Sequence, residues 1–352
     1  MNKSSEMLKW EILKKLKSKV GIVLAILFIL ISAGCIFLKP SFETDNAHYE
    51  MGRKIVDTRP PQQIANEKFN VKVNSIKMLL ESKESGQKNS DKTSEKDGIK
   101  KYSQQKLDNI KHKEYKDVKF WQAFNQKATH PLIIVYLIAF ITLIFSTLYT
   151  DEIISGVDNL ILSSKNKYKV LRAKITFTIM STVIVYMMYL IIQFIAAYFM
   201  YGPPKNGDLQ AFRILDVGFM LKGAMSIQNY IALKIGISLL IMITVALLAV
   251  LFSFITTNSL ASITAFGIIF IVPKFMSVVK IIPAQIRVLL DQMNFYDLLI
   301  SPHKFVGMYL GRISFLNFSF DTNNFILAVI VTIAITTLVT MNIKFKKLTV
   351  NK

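Results

Sequence analysis

Six stretches of this chain are each apolar and long enough to cross a bilayer, and that pattern constrains the fold more than any other feature. A spanning helix needs about 20 mostly apolar residues to cover about 30 Å of hydrocarbon. The stretches are Val20–Leu38, Pro131–Thr150, Ile175–Tyr201, Ile231–Ile255, Ser259–Ile282 and Phe325–Ile343. No internal repeat and no clear alternating strand pattern accompanies them. The expected fold is an all-α integral membrane protein with six transmembrane helices. To these the sequence adds an N-terminal amphipathic interfacial helix and a helical extracellular segment between the first two spans.

Composition agrees: 52% of the residues are hydrophobic and 19% charged, the balance of a multi-span membrane protein. The formal charge of +20 does not imply nucleic acid, because the lysines and arginines gather in loops flanking the spans, as membrane topology requires. The single cysteine, Cys35, rules out an intramolecular disulfide. Ser32-Ala33-Gly34-Cys35 loosely resembles a lipoprotein cleavage site. The apolar run continues through Ile36, Phe37 and Leu38, so Cys35 reads as a small residue within a span.

The topology can be read from the basic residues. Through residues 1–19 and into the first span, Leu8, Ile12, Leu16 and Val20 recur every four positions with lysines on the other face. That is a basic amphipathic helix lying on a membrane surface, with Trp10 at headgroup level. Its lysines place the N-terminus in the cytoplasm. The tail 344–352 is also basic, and six spans put both ends on one side. Residues 151–174 and the tight turn Thr256-Thr257-Asn258 are then cytoplasmic, while 202–230 and 283–324 face outward.

Residues 39–130 form the main external segment. Its middle, Ser85 to Gly98, has almost no apolar residue and reads as a solvated linker. Ile76, Leu79 and Leu80 make one helical stripe before it. Leu107, Ile110, Val118, Trp121 and Phe124 make another after it.

The most telling short stretch is 151–162. Ile153, Ile154, Val157, Leu160 and Ile161 fall on one helical face, with Asp151, Glu152, Ser155, Asp158 and Asn159 opposite. Acids at its start and lysines beyond its end complement a helix dipole. It is expected as one short amphipathic helix, either an interfacial anchor or a handle that a cytoplasmic motor pushes. After the fifth span begins, Pro273 and Lys274 interrupt the apolar run. Lys274 is expected near the outer surface, able to snorkel to the headgroups. The region 275–324 then reads as helices that dip into the outer leaflet and return. Pro273, Lys274, Pro283 and Arg287 are its candidate gate residues, against the plainer reading of an interfacial helix.

These features resemble the type-2 permease family of ABC transporters. The likeness is carried by Asp151-Glu152-Ile153-Ile154-Ser155-Gly156, by Ser163-Ser164-Lys165, and by Leu171-Arg172-Ala173-Lys174 opening the third span. Trp10 to Lys19 is similar to that family's connector helix. The proline usual after the cytoplasmic helix is replaced by Ser163-Ser164. The resemblance implies an exporter subunit that pairs with a second permease copy or paralogue in the plasma membrane. Asp151, Glu152, Ile153, Ile154, Gly156, Val157, Leu160 and Ile161 would then receive the motion of separate cytoplasmic ABC ATPase subunits. ATP and Mg would be bound by those partners, since the chain has no G-x-x-x-x-G-K-[ST]. The cargo would be amphipathic: a peptide such as a bacteriocin, a drug or a lipid.

No catalytic, cofactor or metal site is expected in the chain itself. His48, His112, His130 and His303 lack metal-ligand spacing, and neither G-x-S-x-G nor H-E-x-x-H occurs. The spans lack Asp and Glu, which disfavours a proton-driven carrier. The competing reading is a non-transporting membrane sensor or binding protein acting through residues 39–130.

Overall fold

The computed structural model describes residues 3–50, 53–81, 100–110, 112, 114–164, 167–215, 221–279, 281–283, 287, 290–291, 294–302, 306–308, 312–315 and 318–347. The linker expected at 85–98, together with Lys165, Lys280, Gln285, Ile286, Leu289 and His303, lies outside these residues. Among the described residues, six helices are long and apolar enough to cross a membrane. In hydrocarbon a backbone N–H or C=O has no water to bond, so a helix that bonds internally is the stable local form.

The chain opens with α1 (Lys3–Leu16) and α2 (Lys19–Phe37), the first span. A distal unit follows: strands β1 (Ala47–Glu50) and β2 (Arg53–Val56), α3 (Pro61–Glu81), α4 (100–108) and α5 (Lys119–Ala128). The second candidate span, Lys119–Ile154, takes in α5, α6 (Pro131–Phe145) and the short α7 (Thr150–Ile154), and α8 (Asp158–Ser163) follows it. Next come α9 (Lys167–Tyr201), α10 (Ile227–Ile255) and α11 (Ser259–Val278). A short helix at Phe295–Ile300 and a hairpin of Arg312–Phe315 with Phe318–Asp321 precede the last span, Thr322–Lys347. The spans alternate in direction, so the bundle has a basal end, which carries α1, α7 and α8, and a distal end.

The strands are a departure from the expected all-helical segment. β1 and β2 pair antiparallel with Ala47 opposite Val56 and Glu50 opposite Arg53. Four-residue strands are too short to show an alternating pattern. After them in the chain, α3 packs on the connection between α9 and α10, where the rings of Phe69 and Phe212 stack at 5.9 Å. Arg213 pins this contact. Its guanidinium lies 4.2 Å from the Phe69 ring centre and donates to the carbonyls of Glu114 and His112. Burial pushes it down to about 10, still charged at neutral pH.

The α5–α6 junction explains two buried lysines. Pro131 has no N–H and bars helix at the residue before it, so α5 must stop and a new helix begin. The last carbonyls of α5 are left without intrahelical donors. Lys234 Nζ donates to Asn125 O at 3.0 Å, Tyr189 to Lys127 O at 2.7 Å and Tyr186 to Ala128 O at 3.1 Å. Lys127 Nζ in turn donates to Ile36 O, near the end of α2, at 2.8 Å. Both lysines close helix C-termini, where a cation also suits the helix dipole.

At the basal end the corner between α1 and α2 is tight. Ser18 Oγ donates to Lys15 O at 2.7 Å and accepts from Gly21 N at 3.0 Å. A Cβ on Gly21 would lie 2.0 Å from Lys15 O, whereas one on Gly34, further along the same helix, would meet nothing within 4 Å. Gly21→Ala is therefore expected to destabilise the protein by about 1–3 kcal/mol through overpacking, with Gly34→Ala near neutral. Thermal unfolding of the two variants in detergent distinguishes them; equal midpoints would refute the steric reading of this corner.

Candidate functional site: a buried charge network at the basal end

Residues of the stretches Trp10 to Lys19, 151–162 and Leu171 to Lys174 meet at one point. Lys174, on α9, is fully buried (0% exposed). Its Nζ donates to Glu11 Oε1 of α1 at 2.7 Å and to Glu152 Oε1 of α7 at 2.6 Å. It also reaches Leu148 O at 3.4 Å. Glu152 is 2% exposed. Lys14 Nζ stands 3.6 Å from Glu152 Oε1, so two cations face two carboxylates.

A second pair lies beside the first. Lys15 Nζ donates to Asp151 Oδ2 at 2.8 Å and to Thr147 Oγ1 at 3.1 Å. Burial pushes the Lys15 ammonium below the ordinary lysine range, and its bond to Asp151 opposes that shift. Ser259 Oγ, at the first residue of α11, donates to Asp151 Oδ1 at 3.1 Å. Asp151 and Glu152 thus connect α7 to α1, α9 and α11 at once. An aromatic cluster underlies them: the rings of Tyr149 and Phe254 lie 4.4 Å apart, and Phe345 of the last span lies 5.8 Å from Phe254.

This geometry corrects one expectation. The stretch 151–162 is two helices rather than one. The break falls between Ile154 and Asp158, where Gly156 takes φ +68°, a left-handed backbone suited to glycine. Its apolar face divides between open and packed residues. Ile154 is 66% and Leu160 71% exposed, and Val157 is exposed too, while Glu152 on the expected polar face is inside. Ile153 and Ile161 are half-buried and pack on the core. The stripe of α1 that continues into α2 divides likewise. Leu8, Glu11, Ile12 and Lys15 turn toward the bundle, whereas Leu16 and Val20 are exposed. A hydrophobic periodicity overlooks such a face, because Glu11 and Lys15 count as polar although they lie four residues apart on the same stripe as Ile12.

The distal candidates separate. Pro273 lies inside α11, which continues to Val278. Lys274 Nζ donates to Asp297 Oδ2 at 2.6 Å and Asp291 Oδ1 at 3.1 Å. Those two carboxylates were not singled out from sequence, since they lie far along the chain in a stretch without clear periodicity. Pro283 is exposed, and Arg287 N donates to Pro283 O at 3.1 Å within its own turn. Among the described residues, no group of three or more His, Cys, Asp or Glu side chains could hold a metal ion.

Comparison of the chain with protein-family models, with curated proteins and with solved structures gives no match.

Removing one member of a buried ion pair strands the other, at a cost of about 3–5 kcal/mol. Lys174→Met is expected to destabilise the protein by that order, and adding Glu11→Gln and Glu152→Gln to recover most of it. Unfolding midpoints of the single and triple variants test this. A silent Lys174→Met would show that the network contributes nothing to stability.

Proposed function

We propose that this chain is the membrane-spanning permease subunit of an ATP-driven exporter of the ABC type. The observation that carries the reading is the two-sided character of α7 and α8. On one side Asp151 and Glu152 are bonded into α1, α9 and α11. On the other, Ile154, Val157 and Leu160 are exposed apolar side chains. A short element fixed to three helices and bare on its far side suits a partner that pushes on it. A rigid charge network would pass that push to the spans.

The basic residues of α1 and of the last helical turn favour a cytoplasmic basal end. ATP and Mg belong, in this reading, to separate ATPase subunits docked on Ile154, Val157 and Leu160. The apolar faces of α2 and α9, which bear exposed Ile22, Ile26, Ile29, Ile184 and Ile191, suit membrane lipid or a second permease copy. The chain itself carries no chemistry of bond making or breaking in this account.

A second reading, a membrane sensor acting through residues 39–130, is favoured by one observation. The distal unit buries apolar side chains, including Ile64, Phe69, Ile76 and Trp121.

Affinity purification of the tagged chain from its native membrane, with mass spectrometry of the co-purifying proteins, separates the two. The transport reading expects an ATPase that is retained with the native chain and lost with Ile154→Asp plus Leu160→Asp. Both substitutions are exposed and should leave the fold intact, which the unfolding midpoint checks. Absence of any ATPase from a well-folded native preparation would leave the sensor reading.

A further inference from the structure

A cleft of about 610 Å³ opens in the distal unit between the segment 41–46, α3, α5 and the turn at Phe212. This is the size range of pockets that enclose small ligands. Its floor is apolar, formed by Ile64, Ile76 and Phe212, all buried. One wall is held by a reciprocal pair of bonds: Gln126 Oε1 accepts from Ser41 N and Gln126 Nε2 donates to Ser41 O, both at 3.1 Å.

The polar lining has an excess of acceptors. At one end a single guanidinium, Arg59, is shared by Asp57 and Glu67, the latter at 2.6 Å. At the other, Lys72 Nζ is taken by Glu43 Oε1 at 2.5 Å. Among the described residues, Asp45 Oδ2 accepts only a backbone N–H, that of Phe42, at 2.8 Å, while Lys68 Nζ donates to the Asp45 carbonyl at 3.2 Å. Four carboxylates therefore face three cations, a formal lining charge of −1. Gln122, also on the wall, is buried, and its Oε1 has no donor among the described residues. Buried carbonyls without donors are uncommon and costly. Residues 39–130 carry 19 Lys and Arg against 13 Asp and Glu, so the acidic lining is local to the cleft.

We propose that this cleft binds a short amphipathic peptide segment that carries one basic side chain. Its apolar side chains would occupy the floor of Ile64, Ile76 and Phe212. Its ammonium or guanidinium would face Asp45 and the Asp57–Glu67 end. A turn of the buried Gln122 side chain would let its unpaired Oε1 accept from the peptide backbone. Binding of this kind requires neither an ATPase nor transport, and so would hold under either reading of the chain.

The test uses the full chain purified in detergent and a fluorescent, amidated tripeptide of leucine, lysine and phenylalanine, with glutamate replacing lysine as the counter-probe. Fluorescence anisotropy is expected to show saturable binding of the lysyl peptide, about tenfold or more tighter than of the glutamyl peptide. Asp45→Asn with Glu67→Gln takes the lining charge from −1 to +1. Asparagine keeps the acceptor that Phe42 N–H uses, and a general loss of structure would weaken both peptides equally. The pair of substitutions should therefore abolish or invert the preference while leaving the unfolding midpoint in place. Val71→Trp, on an exposed wall position of α3, should block saturable binding of either peptide. The proposal is overturned if neither peptide binds, if the native chain does not prefer the lysyl peptide, if the preference survives the double substitution, or if Val71→Trp leaves affinity unchanged.

Discussion

The Lys174 ammonium cannot reach water, and the basal half of the structure is arranged around that fact. An unpaired charge in such a place costs several kcal/mol. Two carboxylates, Glu11 at 2.7 Å and Glu152 at 2.6 Å, must therefore stay where they are. Because they come from different helices, α1 cannot leave the bundle surface and α7 cannot swing away without exposing the other partners. The pair Lys15–Asp151 and the Ser259 hydroxyl add α11 to the same knot. A network of this kind specifies relative positions more than it adds stability, because much of the Coulombic gain offsets desolvation.

The distal end solves a different problem by similar means. Pro131 ends α5 inside the apolar bundle and leaves carbonyls that need donors. Lys234, Tyr186 and Tyr189 provide them from α10 and α9. Lysines at such depth invite a reading as ion or proton relays, but their contacts with helix-end carbonyls account for them. Lys274 sits closer to the surface and is paired with Asp291 and Asp297 instead. Lys234 and Lys127 thus each close a helix end left open by the chain's own geometry.

The spans were legible because hydrocarbon length and backbone self-bonding are local requirements. The helix Ile227–Ile255 contains the stretch 231–255 expected from sequence, and Thr322–Lys347 contains 325–343. The amphipathic stretch at 151–162 was legible as helix but not as two helices, since glycine is permitted within a helical pattern and only φ reveals its use. The exposed Ile154 and Leu160 show the limit of periodicity. An apolar stripe identifies a face, yet whether that face meets the bundle or stays open depends on what packs around it.

The sequence by itself determined the number, order and alternating direction of the spans, and the residue types available at each end. Tertiary structure alone decided that Glu11 meets Lys174, 163 residues further along the chain. It also decided that Glu152 turns inward, and that residues from 41 to 212 enclose a cleft. Hydropathy is summed over neighbours along the chain, so it survives in one dimension. A salt bridge or a cleft depends on distances across the bundle, which exist only once every span has been placed.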